Sequence, residues 1–337
     1  MLLTLDLFNE KCHICKMRRR GVSKQVVIIV GVLNILLIIG CKKVETTKTY
    51  TVSDSVSQST IAFDEVTVNN ELDQFVDDAI MVLSNHNATI AGAIFDSISP
   101  NVYEIDYFNK EPDGVKARSG SDSIHLNGIP WGTAGSTATL SFKDINSTGS
   151  YEIAFYSIIP PLTDSASLTF LGNITITNVY GGLLQSVTSS SDSLVAHIRA
   201  SNVSFTFNDQ ASSIQFYSLN VNEIRSFTTA NSAMYATTRG DTNVGGYSNI
   251  GTWGTNRFGN NYYSNTAGSI VQNISNLALL SYNPISGTKV IEGISEPIQS
   301  IYGVNNQGAV TSGTPYGFSI SWTDNSVQAT DILPYYY

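Results

Sequence analysis

The sequence predicts a mainly β protein: an antiparallel β-sandwich, built as one unit or two stacked β units, with one N-terminal helix. Three observations carry this. Apolar residues alternate with polar ones at period two from about residue 100 onward. Turn signals recur at short intervals between those runs. Only one stretch, near residues 71–84, has a clear helical stripe.

The helix opens at Asn70-Glu-Leu-Asp, where Asn70 can cap and Asp73 holds the capping-box position. Leu72, Phe75, Val76, Ala79, Ile80 and Leu83 follow at helical spacing. The simplest role for such a stripe is packing on a sheet; a partner-binding helix is the functional alternative. Strands are predicted at 102–108, at 136–142 and from Tyr151 to the Pro160-Pro161 stop. Leu168, Phe170, Gly172, Ile174 and Ile176 form an apolar row with threonines on the other face. Val203, Phe205 and Phe207 repeat the design, as do Ile214 with Phe216 and Leu219 with Val221. Later strands are expected at 277–282, 288–294, 298–303 and 316–322, with turns at 208–209, 283–284, 286–287 and 305–306. Residues 229–269, rich in Gly, Asn, Thr and aromatics, break the rhythm as a long loop or a set of short irregular strands.

The N-terminal region has a different logic. Arg18, Arg19, Arg20 and Lys24 precede an apolar run from Val26 to Gly40, interrupted by Asn34. At 1.5 Å per residue that run reaches roughly 22 Å, short of the ~30 Å hydrocarbon core, so it fits a signal segment better than a permanent span. It ends in Ile38-Ile39-Gly40-Cys41, similar to the lipobox of bacterial lipoproteins. That resemblance implies cleavage before Cys41 and acylation of its thiol. Each buried CH₂ contributes ~0.8 kcal/mol, so several acyl chains anchor stably where one would not. Residues 1–16 fit no signal design, which makes Met17 the better start and Cys12-His13-Ile14-Cys15 a weak metal signal. The resulting layout is 1–16 over-extended start, 17–40 signal peptide, 41–60 flexible tether, 61–120 helix-containing segment and 121–337 β-sandwich.

Composition narrows the function classes. After Cys41 there is no further cysteine, so the mature body has neither an internal disulfide nor a thiolate metal site. Residues 1–40 hold six of 18 Lys/Arg and two of 27 Asp/Glu, leaving 12 − 25 = −13 on the remainder. An acidic body disfavours nucleic acid, whose phosphates need cationic partners. No HExxH, P-loop, GxSxG elbow or calcium loop occurs, and no cofactor is expected. His86, His125 and His197 stand apart, and Asp122-Ser123-Ile124-His125 is only a sequence adjacency, whereas triads assemble in space. A glycosidase-like carboxylate pair stays open, because 25 acids offer many pairs. The best binding candidate is the aromatic stretch with Trp253, Arg257, Phe258, Asn260, Tyr262 and Tyr263. Flat rings stack on sugar faces while amides and guanidinium bond hydroxyls; the alternative is a satellite core closing the sandwich end.

Near the C-terminus, Pro284-Ile-Ser-Gly287 leads into Thr288-Lys-Val-Ile-Glu-Gly, then Ser300-Ile-Tyr-Gly303 and Gly317-Phe-Ser-Ile-Ser321. With the lipobox, polar tether and Thr/Gly-rich β region, this resembles the β-rich lipoproteins of Bacteroidota. Asp-Ser-apolar triplets at 54–56, 96–98, 122–124, 164–166 and 192–194 look like the O-glycosylation acceptor motif of exported proteins in that group. The resemblance implies location and fold and transfers no active site. The expectation is a lipid-anchored cell-envelope protein, in the outer membrane in preference to the inner, with a non-enzymatic binding or structural role. Its partners would be the membrane, through acyl chains, and a glycan or envelope protein.

Overall fold

The computed structural model describes residues 52–86, 88–90, 92–107, 116–143, 151–155, 166–189, 191–208, 215–266, 268–275, 283–324 and 326–335. The signal segment, Cys41, the first part of the tether and the strand expected at 277–282 lie outside them. Among the described residues no helix is long and apolar enough to cross a membrane.

The protein is mainly β and antiparallel, with one long helix, α1 (Val52–Ser84). This helix is much longer than its capping signals indicate: Asn70 is buried in its middle, and residues 52–60 are helical where a flexible tether is expected. Ser, Thr and Val dominate 52–68 and are poor helix formers. Burial of Ile61, Ala62, Val66 and Val68 sustains the helix there.

Among the described residues, eighteen strands form one hydrogen-bonded sheet. β1 (Ala93–Ser99) pairs with β2 (Val102–Tyr107), and β2 with β3 (Lys116–Leu126). Along its other edge β3 pairs with two strands in succession, β4 (Thr137–Lys143) and β5 (Tyr151–Phe155). β3 thereby straddles the domain boundary expected near residue 120. β6 (Ala166–Leu171) follows β5 and β7 (Asn173–Tyr180) follows β4, and both join the 16-residue β8 (Ser193–Asn208). β8 pairs with β9 (Gln215–Ala230), which again serves two neighbours, β10 (Ala233–Gly240) and β12 (Tyr247–Thr255). β11 (Thr242–Val244) forms a short hairpin with β12. β14 (Ile270–Asn273) continues from β10 and β13 (Asn261–Thr266) from β12, and both meet β15 (Pro284–Glu292). β16 (Ile298–Val304), β17 (Gly317–Asp324) and β18 (Val327–Pro334) complete the sheet. The stretch 229–269 is therefore the short-strand alternative, not a loop, and Ser286-Gly287 lies inside β15 instead of in a turn.

The apolar row of 168–176 keeps its phase but is cut in two. Gly172 separates β6 from β7 at φ +147°, and a Cβ there would meet the Val203 backbone at 3.1 Å. Opposite it, β8 bulges between Ala200 and Val203, so inward positions shift from 194–200 to 203–207.

One face of the sheet is buried on α1. From residue 64 to 84 the helix is buried on every side. An aromatic chain links it to successive strands: Phe75 lies 4.8 Å from Phe142 and 5.4 Å from Phe170, which continues to Phe205 at 4.5 Å. Phe205 meets Tyr217, and Tyr217 meets Tyr262 at 5.1 Å. The helix thus forms the filling between facing parts of the sheet.

Candidate functional site: the polar seat of the buried helix

A helix buried all round is ordinarily apolar all round. α1 is not: Asp64, Glu65, Glu71, Asp73, Asp77 and Asp78 are all buried. At ~100° per residue, Asp73 and Asp77 leave the axis about 130° away from Glu71 and Asp78, so the acids face two different parts of the sheet.

Each group meets a counter-group. On one side Arg118 of β3 donates from Nε (3.2 Å) and Nη2 (3.1 Å) to Glu71 Oε2, and also bonds Gln74. The Tyr107 hydroxyl donates to Asp78 Oδ2 at 2.8 Å. On the other side Arg225 of β9, fully buried, grips Asp77 through Nε (2.7 Å) and Nη2 (2.6 Å). Its Nη1 reaches Asp73 at 3.0 Å and donates to Thr238 and Gln272. Lys289 of β15 and Ser264 of β13 both donate to Glu65 Oε1. Nearer the helix start, Arg257 forks onto Asp64 while its guanidinium lies 4.4 Å from the Phe207 ring centroid. Bidentate arginine pairs with extra donors are the geometry that makes a buried charge tolerable.

Proton affinities record the burial. Burial pushes Asp77 up to about 6 against the pull of Arg225, so it is ionised and paired near neutral pH. Glu223, inward on β9, is pushed up to about 7 by burial, opposed by Lys289 and Arg225 and reinforced by Asp73. Asp122 of β3 is held well above the usual carboxylate range by burial and by Asp78 beside it, despite a backbone hydrogen bond from Ser141. Burial and neighbouring acids also raise Tyr107 and Tyr302. A carboxyl near 7 has the affinity of a general acid or base. Glu223, however, borders a small cavity between Asn70, Asp73, Lys289 and Tyr302 with room for about one water. What the arrangement does chemically is neutralise and hold α1.

The sequence-derived binding residues are split by strand alternation. Tyr262 is buried against Tyr217, and Arg257 turns inward to Asp64. Trp253 and Tyr263 are cross-strand partners on the opposite, outward face. Tyr263 is covered: a Cβ on Gly245 or on Gly293 would come within 2.4 or 2.7 Å of its ring, and Tyr247 packs 5.2 Å away. Phe258 and Asn260 are exposed in the turn, where the Asn256 side chain accepts from both their N–H groups. The six residues therefore share a hairpin without sharing a surface.

Alternation also dissolves the Asp122–His125 adjacency. Asp122 and Ile124 point inward, whereas Ser123 and His125 bond each other at 2.9 Å on the other face. His197 sits on the outer face of β8 against Asn222, and His86 stacks on Tyr103. Among the described residues no group of three or more His, Cys, Asp or Glu is placed to hold a metal ion.

The charged seat escaped the sequence reading, but a signal existed. Arg225 keeps the phase of Leu219 and Val221, and Lys289 that of Ile291, so both sit at inward positions of strands. On the helix, Glu65, Asn69, Asp73 and Asp77 recur every fourth residue. No protein-family model, no curated protein and no solved structure matches the chain.

Proposed function

We infer that the chain is a lipid-anchored protein of the cell envelope whose folded body binds or scaffolds and does not catalyse. The anchor is Cys41, on the strength of the lipobox-like Ile38-Ile39-Gly40-Cys41, and the outer membrane is its preferred site. The observation that carries the non-enzymatic part is the closed polar interior. Its cations Arg118, Arg225, Arg257 and Lys289 are engaged with the acids of α1, and Glu223 beside them borders a void with room for about one water. Feeding expressing cells radiolabelled palmitate tests the anchor: label should enter the wild type and not Cys41→Ala. An unlabelled wild type that retains its leader overturns the anchor. Glycoside turnover by the purified protein that Glu223→Gln abolishes would overturn the non-enzymatic reading.

Carbohydrate binding at the β12–β13 hairpin is the second reading, supported by outward Trp253 and the exposed Phe258 and Asn260 at its tip. Retention on a cognate polysaccharide should then be lost in Trp253→Ala, and unchanged retention ends that reading.

A further inference from the structure

Among the described residues, the terminal strands β1 and β18 each pair along one edge, and their other edges are defended unequally. β18 finishes on Pro334, and its Asp331 accepts hydrogen bonds from the Ser59 hydroxyl of α1 and from the Ile332 N–H. Proline and local side-chain bonds of this kind discourage strand addition. β1 contains neither proline nor lysine. Among the described residues, no strand pairs with its outer edge. Alternate residues of Ala93–Ser99 therefore direct N–H and C=O groups away from β2, with no strand among the described residues to receive them.

The solvent face beside that edge has a definite chemistry. Ile94 and Ile98 are 54% and 58% exposed, and Asp96 stands between them. The register sets Asp96 opposite Glu104 and Ile94 opposite Asp106, which gathers three carboxylates on one face of a two-strand ladder. Asp106 is raised by partial burial and then by Glu104 and Asp96, the mark of crowded like charges. None of the three has a cationic partner among the described residues. The buried acids of α1 each meet a counter-group; among the described residues these three meet none.

We propose that the free edge of β1 receives an extended, basic strand of a partner protein, which adds to the sheet through main-chain hydrogen bonds. Its Lys or Arg side chains lie over Asp96, Glu104 and Asp106, and its apolar residues flank Ile94 and Ile98. A second copy of this chain fits poorly. Antiparallel pairing of two β1 edges centred on Asp96 would set that carboxylate opposite its own copy, with Glu104 and Asp106 one strand behind it on each side, within a body already carrying excess negative charge. This gives the binding role inferred above a surface and a partner chemistry; the palmitate test addresses the anchor separately, so the two fail independently.

The test uses the full-length protein in non-ionic detergent with three fluorescent ten-residue peptides. One alternates lysine with valine, one alternates glutamate with valine, and one is the lysine peptide fully N-methylated along its backbone. The lysine peptide should bind and weaken with salt, whereas the other two should not bind. Asp96→Asn and Asp106→Asn are surface changes, and each should weaken binding by about three-fold or more, the worth of an exposed ion pair. Equal binding of the N-methylated peptide reduces the effect to charge attraction and overturns strand addition. Equal binding of the glutamate peptide overturns the basic partner. Sedimentation showing a dimer that Ile98→Lys disrupts would assign the edge to a second copy and overturn the proposal as well.

Discussion

The seat of α1 and the β12–β13 hairpin use polar and aromatic residues in opposite ways. In the seat, Arg225 and Asp77 are almost entirely shut off from water and Asp73 borders only a small cavity, so the hydrogen bonds they make are ones that solvent does not readily replace. At the hairpin tip, Phe258 and Asn260 are open to solvent, and their backbone N–H groups, donating to the Asn256 side chain, hold the turn without help from their own side chains. The contrast teaches that burial, more than residue type, sets what each side chain is worth. The same guanidinium chemistry that suits Arg257 for a sugar hydroxyl is, in this fold, committed to Asp64.

The largest test of that contrast is Arg225→Ala. It strands Asp73 and Asp77 in the interior, and breaking a buried pair by removing one partner costs ~3–5 kcal/mol. The urea midpoint should fall accordingly. Arg225→Met combined with Asp73→Leu and Asp77→Leu should recover much of the loss, because apolar replacement of the cation and both of its acids leaves no charge stranded. A cost below about 1 kcal/mol for Arg225→Ala alone, within the range of surface pairs, would mean that the seat is solvated and the contrast false.

Acidity gives the next largest effect. Asp77, Glu223 and Asp122 all hold their protons more tightly folded than unfolded. Their contribution is complete below the unfolded values and is lost as pH rises, for Asp77 between 3.8 and about 6 and for Glu223 between 4.5 and about 7. Asp122 loses its share over a range that begins at 3.8 and extends well above it. The melting temperature should therefore be higher at pH 5 than at pH 8. At ~1.4 kcal/mol per pKa unit the Glu223 part is on the order of 2 kcal/mol. Glu223→Gln and Asp122→Asn should each flatten the profile. A profile that rises from pH 5 to 8 would show that Lys289 and Arg225 outweigh burial at Glu223.

Legibility in the sequence followed the same division. Period two gave the phase of β6 to β8, and of Leu219 and Val221 in β9, even across the Gly172 break, because an inward apolar residue and an outward hydroxyl differ in kind; at the start of β9 it chose Phe216, which is out of step with the buried Tyr217. The class, mainly β with one N-terminal helix, was readable for that reason. The extent of α1 was not, since Ser, Thr and Val dominate 52–68 and are poor helix formers, while the burial of Ile61, Ala62, Val66 and Val68 that supports the helix is tertiary. The charged seat was hidden because an inward Arg225 breaks the pattern that reveals inward positions. Its partners are remote in sequence, with Asp77 lying 148 residues away. The hairpin misled for a related cause: adjacent Tyr262 and Tyr263 look like one cluster in a string, while a strand sends them to opposite faces.

The smallest effect sharpens the comparison from within the hairpin itself. Tyr262 is 1% exposed and its ring packs 5.1 Å from Tyr217, so Tyr262→Ala should cost ~3–5 kcal/mol, as large aromatic truncations in a core do. Phe258, only four residues away, is 45% exposed, and Phe258→Ala should stay within about 0.5 kcal/mol. Paired urea melts of the two variants measure the difference directly. If Phe258→Ala instead costs more than about 2 kcal/mol, the tip is packed against something in solution. Arg257, whose guanidinium lies 6.0 Å from the Phe258 ring centroid, would then be the first contact to examine. A near-zero cost leaves Phe258 free for an outside contact, because a large ring that contributes little to its own fold can engage a ligand without destabilising the hairpin.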